Sequence, residues 1–376
     1  MRITFVLPEV SMSGGIKVPA IYGKFLADRN HKITFVSPAQ KRIPLRRKIK
    51  SLLLGSGWIQ DTATRPSHLD DTGLTHHILN RWRPVINSDI PDGDIVIATW
   101  WETAEWVYAL DKNKGAKVYF IQGHEIFPGL PLDRCKATYR LPMHKIVVSR
   151  WLKEVMCVDY GDHEVDVVPN SVDRSQFYSP PRKKQSIPTI GFLFSISPLK
   201  GVDILLEAIA ILREKIPDIR VICFGSNPPN QALQIPSNFE FFLCPPQHQI
   251  RNLYSQCDVW ISTSRSEGFN LPAIEAMACR TPVVSTKTGW PEEVICNGVN
   301  GALTEIDDAF DVFRNVEKIL LLEDHQWEAM SQSAYETALS GSWGESSLKF
   351  ESALTNACER SKRLEISGNC SYQTPC

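Results

Sequence analysis

The chain carries the sequence DVWISTSRSEGFNLPAIEAMACRTPVVS from Asp258 to Ser285. The apolar run Asp258–Thr263 predicts a buried β-strand. Ser264–Asn270 is rich in serine, glycine and asparagine, so it predicts a loop at the carboxyl end of that strand. A helix is expected from Leu271, and Pro282–Ser285 predicts the next strand. A strand–loop–helix–strand unit of this kind is typical of a parallel α/β sheet.

Similar short apolar runs recur on both sides of this unit. Most are continuous rather than alternating, which is typical of strands buried on both faces of a parallel sheet. The predicted strands are Ile3–Pro8, Lys32–Pro38, Asp94–Trp100, Lys117–Gln122, Lys145–Ser149, Asp166–Pro169, Thr189–Phe194, Ile219–Gly225 and Phe239–Cys244. Helical patterns lie between them, as where Val202, Leu205, Leu206, Ile209 and Leu212 line one helix face. The fold class predicted is α/β, with two Rossmann-like doubly wound domains facing a central cleft.

The length of 376 residues suits two domains. Ser179–Pro188 is charged, rich in proline and without periodicity, so it predicts the linker between them. We expect an N-terminal domain at 1–178 and a C-terminal domain at 187–340. A helix is expected at 341–362, with a return to the N-terminal domain as one option, followed by a frayed tail at 363–376.

The composition is that of an ordinary soluble globular protein, with 43% apolar and 22% charged residues. The formal net charge of -1 offers no global basic field, so nucleic acid is not an expected partner. Met1–Pro8 is too short for a secretory apolar region, and no stretch approaches the roughly 20 apolar residues of a spanning helix. We therefore expect a cytoplasmic protein.

The stretch Lys41–Leu54 is cationic and partly amphipathic. One interpretation is peripheral contact with the anionic inner face of a membrane. The other is a solvated basic loop or helix, and the sequence slightly favours this second interpretation.

The ten cysteines include no Cys-x-x-Cys pair. Several, such as Cys223 and Cys244, lie in or beside apolar runs, so we expect small buried residues with reduced thiols. Cys370 and Cys376 are the exception that merits a check for pairing. No metal is expected.

The loop and helix start after Asp258–Thr263 carry the chemistry of greatest interest. Backbone N–H groups of Phe269, Asn270 and Leu271 should lie at a helix N-terminus, which suits a diphosphate. Glu267 in the loop and Glu275 about one turn into the helix could each accept two hydrogen bonds from a vicinal diol. The alternative is that Glu267 only neighbours the helix cap and Glu275 is a solvated helix residue.

Ser266–Ala278 and Thr281–Val284 resemble the E-x7-E region of the family 4 glycosyltransferases. Gly289–Ile295 and Asn297–Gly301 resemble the loop and turn that follow it. The resemblance implies the GT-B fold and a retaining transfer from a nucleotide diphosphate sugar without a metal. It implies that Glu267 contacts the donor sugar and Glu275 the ribose. The implied donor site also includes Gly268, Phe269, Asn270 and Leu271.

Lys200 follows the strand Thr189–Phe194 and opens an amphipathic helix. A lysine there could neutralise a departing diphosphate. It resembles the lysine of the family's Arg-x4-Lys-Gly clamp, but Ser195 stands where that clamp has arginine. Arg265 and Arg150 are the candidates to replace the arginine.

Gly225 follows the strand Ile219–Phe224. One interpretation places it near the base or phosphate of the donor, and a simple strand-end turn is equally consistent.

In the N-terminal half, Gly14 and Gly15 follow the first strand, and paired glycines let backbone approach a ligand closely. They resemble the family's glycine-rich loop at the donor diphosphate. His124 follows the strand Lys117–Ile121 and is a candidate catalytic residue that hydrogen-bonds the sugar or the acceptor. An ordinary loop histidine is an equally good interpretation, and Glu125 is a weaker candidate for acceptor contact.

The functional hypothesis is a retaining hexosyltransferase-type glycosyltransferase that acts on a glycan or lipid-linked acceptor, for example in cell-surface polysaccharide synthesis. Glu267, Lys200 and His124 would be its catalytic residues. The alternatives are another GT-B enzyme, such as an epimerase or a phosphorylase, and a non-catalytic relative that binds a sugar nucleotide.

Overall fold

All the strands predicted from the sequence are present in a computed structural model of the chain. The structure describes residues 1–41, 45–53, 66–70, 72–230 and 233–370. The chain folds into two compact units. Unit 1 comprises Met1–Val147, Lys153–Val168 and Ser347–Cys376, and unit 2 comprises Val148–Leu152 and Pro169–Ser346. Each unit is built around its own parallel sheet.

The sheet of unit 1 has the strand order β3-β2-β1-β4-β5-β6-β7. Its strands are β1 (Arg2–Val6), β2 (Lys32–Ser37), β3 (Thr75–Ile78), β4 (Ile95–Ala98), β5 (Ala116–Ile121), β6 (His144–Val147) and β7 (Val165–Val167). Its helices are α1 (Gly14–Asp28), α2 (Leu45–Leu53), α3 (Trp101–Tyr108), α4 (Leu132–Thr138) and α5 (Arg150–Tyr160), of which α5 begins in unit 2 and belongs to unit 1 from Lys153 onward. Central strands such as β4 are buried along their whole length, because parallel strands are covered on both faces.

The sheet of unit 2 has the order β10-β9-β8-β11-β12-β13. Its strands are β8 (Thr189–Leu193), β9 (Arg220–Gly225), β10 (Glu240–Leu243), β11 (Val259–Ser262), β12 (Val283–Thr286) and β13 (Gly301–Thr304). Its helices are α6 (Val202–Lys215), α7 (Gln247–Ser255), α8 (Leu271–Ala278), α9 (Trp290–Val294), α10 (Ala309–Leu320) and α11 (Asp324–Ala338). Counted from β8, this is the order 3-2-1-4-5-6 of a dinucleotide-binding fold.

The order reverses between β8 and β11, and in such sheets ligands bind at the carboxyl ends of the strands beside this reversal. The core beneath is formed by α6 and α10 against β8, β9 and β11. Val202, Leu205, Ile209 and Leu212 of α6 are buried in it, as their spacing predicts, and Leu206 is partly buried at its margin. This packing holds the two loops after β8 and β11 on a rigid base.

The described residues also contain β3 and β13, which were not predicted from the sequence. Both are four-residue strands at the edge of a sheet. β3 is paired on one side and largely exposed, so it needs no continuous apolar run, whereas β13 is mostly buried but contains only two apolar side chains, Ala302 and Leu303. Thr75–Ile78 is largely exposed, and Gly301 is needed at the start of β13 because a Cβ there would lie 2.3 Å from the Val283 carbonyl oxygen.

The segment Ser179–Pro188 contains no helix or strand, but it is bound to unit 2. The Arg182 guanidinium donates to Thr281 Oγ1 at 2.9 Å and lies 4.7 Å from the centre of the Trp327 ring. Asp258 accepts backbone N–H groups from Gln185 and Thr189, each at 2.8 Å. The boundary between the units lies instead at Val168 and Pro169, before the charged segment.

The last described helix is α12 (Trp343–Cys370), which extends past Arg363, where the sequence predicts a frayed tail. From Ser347 onward it belongs to unit 1. The Phe350 ring stacks on Tyr22 with centroids 4.3 Å apart, and Glu351 accepts from Arg29 Nε at 2.7 Å. A buried aromatic contact and an ion pair thus hold this helix on unit 1.

Candidate functional site

Lys200 and Glu267 meet at the carboxyl ends of β8 and β11. Lys200 ends a short 3-10 turn (Pro198–Lys200), and Glu267 lies in the loop that connects β11 to α8. Lys200 Nζ lies 2.6 Å from Glu267 Oε1, and the same oxygen accepts a hydrogen bond from Ser264 Oγ at 2.7 Å. The side chains of the pair are 31% and 12% exposed. The structure therefore brings together two predicted site residues that are 67 positions apart.

The turn that carries Lys200 is packed directly on the loop that carries Glu267. Gly201 has a φ of +58°, and a Cβ there would lie 2.1 Å from the Thr263 carbonyl oxygen. Thr263 Oγ1 donates to the Gly201 carbonyl at 2.8 Å, and the Arg265 N–H donates to the Leu199 carbonyl at 2.7 Å. Backbone contacts of this kind fix the two side chains relative to each other.

The Arg265 guanidinium forms ion pairs with two carboxylates. Its Nη2 donates to Asp203 at 2.7 Å and its Nε to Asp307 at 2.6 Å. The guanidinium holds the pKa of Asp203 below its ordinary value by hydrogen bonding. Arg265, one of the two candidates for the clamp arginine, is thus already ion-paired, and it joins the loop after β11 to the start of α6 and to the segment after β13.

Ser195, where the family clamp has arginine, accepts a hydrogen bond from the Ser197 N–H at 3.2 Å. Its hydroxyl thus supports the turn before Lys200. The other candidate, Arg150, is exposed, and in the described part of the chain its guanidinium forms no hydrogen bond or ion pair.

The loop enters α8 through Asn270, which has a φ of 76° and is 5% exposed. Asn270 Nδ2 donates to Ser262 Oγ at 2.9 Å, which ties the helix start to the end of β11. Asparagine tolerates this left-handed conformation better than most residues. The N–H groups of Phe269 and Asn270 donate to no other residue in the described ranges. They are therefore available to an anion at the helix start.

A second loop supports this helix start from the other side. The Phe269 ring stacks on Trp290 with centroids 5.6 Å apart, and the Trp290 N–H donates to the Phe269 carbonyl at 3.0 Å. Gly289 has a φ of +63°, and a Cβ there would lie 3.2 Å from Glu267 Cβ. Trp290 and Gly289 lie in the stretch Gly289–Ile295, but the sequence did not reveal that they brace the Glu267 loop.

A small pocket opens beside the Lys200–Glu267 pair within unit 2. Its lining includes Trp260, Ser264, Asn270 and Pro272 in addition to the pair.

Glu275 does not line this pocket. It is buried, and its Oε2 accepts a hydrogen bond from the Tyr254 hydroxyl at 2.9 Å. The interpretation of Glu275 as a solvated helix residue is therefore wrong. Tyr254 escaped prediction, because its position in the apolar face of α7 indicates only a core residue.

Gly225 has a packing role at the end of β9. A Cβ there would lie 2.4 Å from the Phe194 carbonyl oxygen, so glycine lets β8 and β9 end close together. This geometry favours the strand-end interpretation over a direct donor contact.

In unit 1, Gly14 and Gly15 are the exposed first residues of α1. The Gly15 carbonyl accepts from Gln122 Nε2 at 3.0 Å, which ties the helix start to the end of β5. His124 is half-buried beyond β5, and its Nε2 lies 2.8 Å from the Tyr160 hydroxyl. Burial lowers the pKa of His124, so the ring is neutral at pH 7.

Glu125 does not face an acceptor. It is 5% exposed, and its Oε2 accepts the N–H of Trp101, the first residue of α3, at 2.9 Å. Burial raises the pKa of the Glu125 carboxyl well above its usual range. The prediction of acceptor contact is therefore wrong, because the side chain caps α3.

Replacing Glu125 by Gln should make stability less sensitive to rising pH. A carboxyl whose folded pKa is raised stabilises the fold below its unfolded pKa and loses that stability as pH rises towards the folded pKa. As pH rises through that window, we expect the free energy of unfolding of the glutamine variant to increase relative to that of the wild type, by up to about 1.4 kcal/mol per pH unit. Urea unfolding at pH 5, 7 and 9 measures the difference, with Glu102→Gln on α3, the helix that Glu125 caps, as the control. A difference that does not change with pH would contradict the burial argument.

Four of the cysteines, including Cys223, are buried, whereas Cys244 and Cys296 are exposed. The eight cysteines that can be described are free. Cys244 is thus not the buried residue that its apolar neighbours predict, because β10 is a partly exposed edge strand. Cys376, one of the pair that merited a check, lies outside the described residues. Within the described ranges no group of three or more His, Cys, Asp or Glu side chains could hold a metal ion.

None of the helices in the described ranges has the length and apolar character needed to cross a bilayer. Residues 42–44 and 54 of the basic stretch lie outside those ranges.

The sequence of unit 2 matches a known enzyme family. Residues 174–337 match the family model described as Glycosyl transferases group 1. The D-inositol 3-phosphate glycosyltransferase of Mycolicibacterium smegmatis is 32% identical over 200 residues, which cover 48% of this chain and 44% of that protein. The chain thus spans about half the length of the curated relatives it matches.

Solved structures show the same fold over nearly the whole chain. Anabaena HepE, determined in complex with UDP and glucose, has a TM-score of 0.70 at 17% identity and covers 94% of this chain and 99% of its own. Sucrose-phosphate synthase from Thermosynechococcus elongatus has a TM-score of 0.68 at 14% identity and covers 98% and 100%. At these identities the likeness shows the fold, which is GT-B.

Proposed function

We propose that this protein is a retaining glycosyltransferase that moves a sugar from a nucleotide diphosphate sugar to an acceptor hydroxyl. The Lys200–Glu267 pair carries the proposal, because it lies at the strand-order reversal of a dinucleotide-type sheet. The match of residues 174–337 to the glycosyl transferase model supports it. The site thus combines a cation, a carboxylate and free N–H groups at a helix start.

Each part of the site has a role in the proposed transfer. The bond between the anomeric carbon and the diphosphate oxygen breaks, and the acceptor oxygen bonds to the same face of that carbon. The acceptor proton passes to the departing phosphate. Lys200 and the N–H groups of Phe269 and Asn270 stabilise the charge that develops on the diphosphate. Glu267 orients the sugar, and Glu275 holds the ribose.

The proposal needs no metal, because Lys200 and the helix start supply the positive charge. For the donor, UDP-sugars are the first choice, since the HepE structure contains UDP and glucose. A thermal-shift series with UDP-, GDP- and dTDP-sugars should show stabilisation by at least one of them, undiminished by EDTA. A protein that none of the three donors stabilises, and that ADP-sugars do not stabilise either, would refute the proposal.

A turnover assay distinguishes the proposed glycosyltransferase from a phosphorylase and from a non-catalytic relative. A phosphorylase would act with inorganic phosphate and without a nucleotide, and a non-catalytic relative would bind the donor without consuming it. We expect release of the nucleoside diphosphate that depends on an added acceptor, with the anomeric configuration of the product retained by NMR.

Unit 1 is proposed to bind the acceptor, a glycan or lipid-linked hydroxyl, near the carboxyl end of β5. His124 is the candidate contact there, because it is half-buried and neutral and follows that strand directly. Gly14 and Gly15 at the start of α1 are proposed to approach the donor diphosphate.

Contact of α2 with an anionic membrane at the cytoplasmic face is also proposed. Leu45, Ile49 and Leu52 recur at helical spacing in α2 and are 63%, 43% and 54% exposed. Arg46 and Lys48 lie between them, so apolar and basic side chains share one short helix. Sedimentation with anionic liposomes should fall in the double variant Arg46→Glu, Lys48→Glu. The matched variant Lys215→Glu, Lys318→Glu on unit 2 should leave it unchanged, and equal binding by both variants would refute the contact.

A further inference from the structure

Glu275 lies about one turn into α8 and is 8% exposed. A carboxylate so far removed from water needs hydrogen-bond donors to remain stable. Tyr254 of α7 supplies one, since its hydroxyl donates to Glu275 Oε2 at 2.9 Å. Tyr254 itself is completely buried, so the donor and the acceptor both lie inside unit 2.

The phenol can act only as a donor towards this carboxylate. Burial, and then the charge of Glu275, raise the pKa of Tyr254 well above its usual range. The hydroxyl therefore keeps its proton at neutral pH and donates it in a hydrogen bond to the carboxylate.

The ring of Tyr254 is held in one orientation by other aromatic rings. Its centroid lies 4.6 Å from that of Trp260, 5.7 Å from that of Phe224 and 6.0 Å from that of Phe177. The Tyr254 carbonyl accepts from Thr281 Oγ1 at 2.8 Å, which ties the end of α7 to the segment after α8. The hydroxyl is thus fixed by the core of the unit and not by a flexible loop.

We infer that Tyr254 is a positioning residue for nucleotide recognition. Its hydroxyl fixes one oxygen of Glu275, so that the carboxylate is already oriented for the ribose diol of the donor. This inference rests on the proposed function, because it deepens the role of Glu275 in the same donor site. A fixed carboxylate loses little conformational freedom on binding and so discriminates between a ribose and a sugar without hydroxyls.

The test compares binding of UDP, GDP and ADP with that of their 2′,3′-dideoxy counterparts by calorimetry on the full chain. Hydrogen bonds to a charged group are worth about tenfold or more in affinity, so the wild type should prefer the ribonucleotide by at least that factor. In Tyr254→Phe the preference should fall about fivefold or more, while the affinity for the dideoxy nucleotide changes by less than about twofold.

Further variants separate positioning from a loss of structure. Glu275→Gln should lower the preference, and adding Tyr254→Phe to it should lower the preference no further. Glu275→Asp keeps the charge but withdraws the carboxylate from the phenol, so it should also lower the preference. Tyr335→Phe, which removes the hydroxyl of a partly buried tyrosine on α11, should leave the preference at the wild-type value.

The outcomes distinguish this inference from the proposed function. If the preference falls in Glu275→Gln but stays at the wild-type value in Tyr254→Phe, the positioning role is wrong and the donor site stands. If the wild type binds none of the three nucleoside diphosphates, the proposed function fails, and the role of Tyr254 fails with it.

Discussion

Replacing Glu267 by Gln should lower kcat/KM for sugar transfer by roughly 10²- to 10³-fold. The carboxylate accepts from both Lys200 Nζ and Ser264 Oγ, so it sets the position of the cation as well as its own. A neutral amide keeps the shape but removes the charge that balances Lys200 and orients a sugar hydroxyl. Because both effects act on the charge that develops as the diphosphate leaves, we expect the loss mainly in kcat.

Initial rates of nucleoside diphosphate release, with and without acceptor, measure this change. Glu292→Gln serves as the matched control, since it makes the same chemical change on an exposed residue of α9. The melting temperature of Glu267→Gln shows whether the variant is folded. A folded variant with wild-type kcat/KM would remove Glu267 from the catalytic machinery and with it the main support for the proposed function.

Gly201→Ala should produce a large loss of stability for the addition of a single methyl group. At a φ of +58° an L-residue is strained, and its Cβ would lie 2.1 Å from the Thr263 carbonyl oxygen. Left-handed strain costs about 1–2 kcal/mol and an overpacked contact about 1–3 kcal/mol, so we expect a loss of roughly 2–5 kcal/mol in the free energy of unfolding. The backbone movement that relieves this contact should also move Lys200, the residue before Gly201, away from Glu267. We therefore expect activity to fall together with stability.

Gly298→Ala provides the control for this substitution. Gly298 also has a positive φ, +79°, but nothing lies within 4 Å of the position where its Cβ would be. The free energy of unfolding of Gly298→Ala should therefore fall only by the strain of the backbone conformation, about 1 kcal/mol. Urea denaturation of both variants measures the difference between them. Equal losses would mean that the turn at Gly201 is not packed against the loop after β11 as the structure has it.

Much of the fold followed from local patterns in the sequence. The buried strands of both sheets were predicted because continuous apolar runs are typical of strands covered on both faces. The helix face of α6 was predicted for a similar reason, since a helix places Val202, Leu205 and Ile209 on one side. The edge strand β3 escaped prediction because it is largely exposed, and β13 escaped it because Gly301 and Thr304 leave only two apolar residues between them.

The candidate site could be predicted only in part from the sequence. Lys200 and Glu267 were chosen from their motifs, but the ion pairs of Arg265 with Asp203 and Asp307 could not be predicted, because they are contacts between distant segments. The same holds for Glu125, whose role as a cap of α3 depends on a neighbouring strand. Tyr254 gave no signal beyond that of a core aromatic residue.

The sequence by itself determined the fold class and the identity of the candidate reactive side chains, because periodicity and motif are local properties of the chain. Only the tertiary structure decided which of those side chains lie at the candidate site and which are already hydrogen-bonded or ion-paired to other parts of the protein. Whether a carboxylate is free, caps a helix or is held in one orientation depends on a single hydrogen bond. The donor of that hydrogen bond lies on another helix, strand or loop. Lys200 and Glu267 meet because β8 and β11 are neighbours in the sheet, at the point where the strand order reverses.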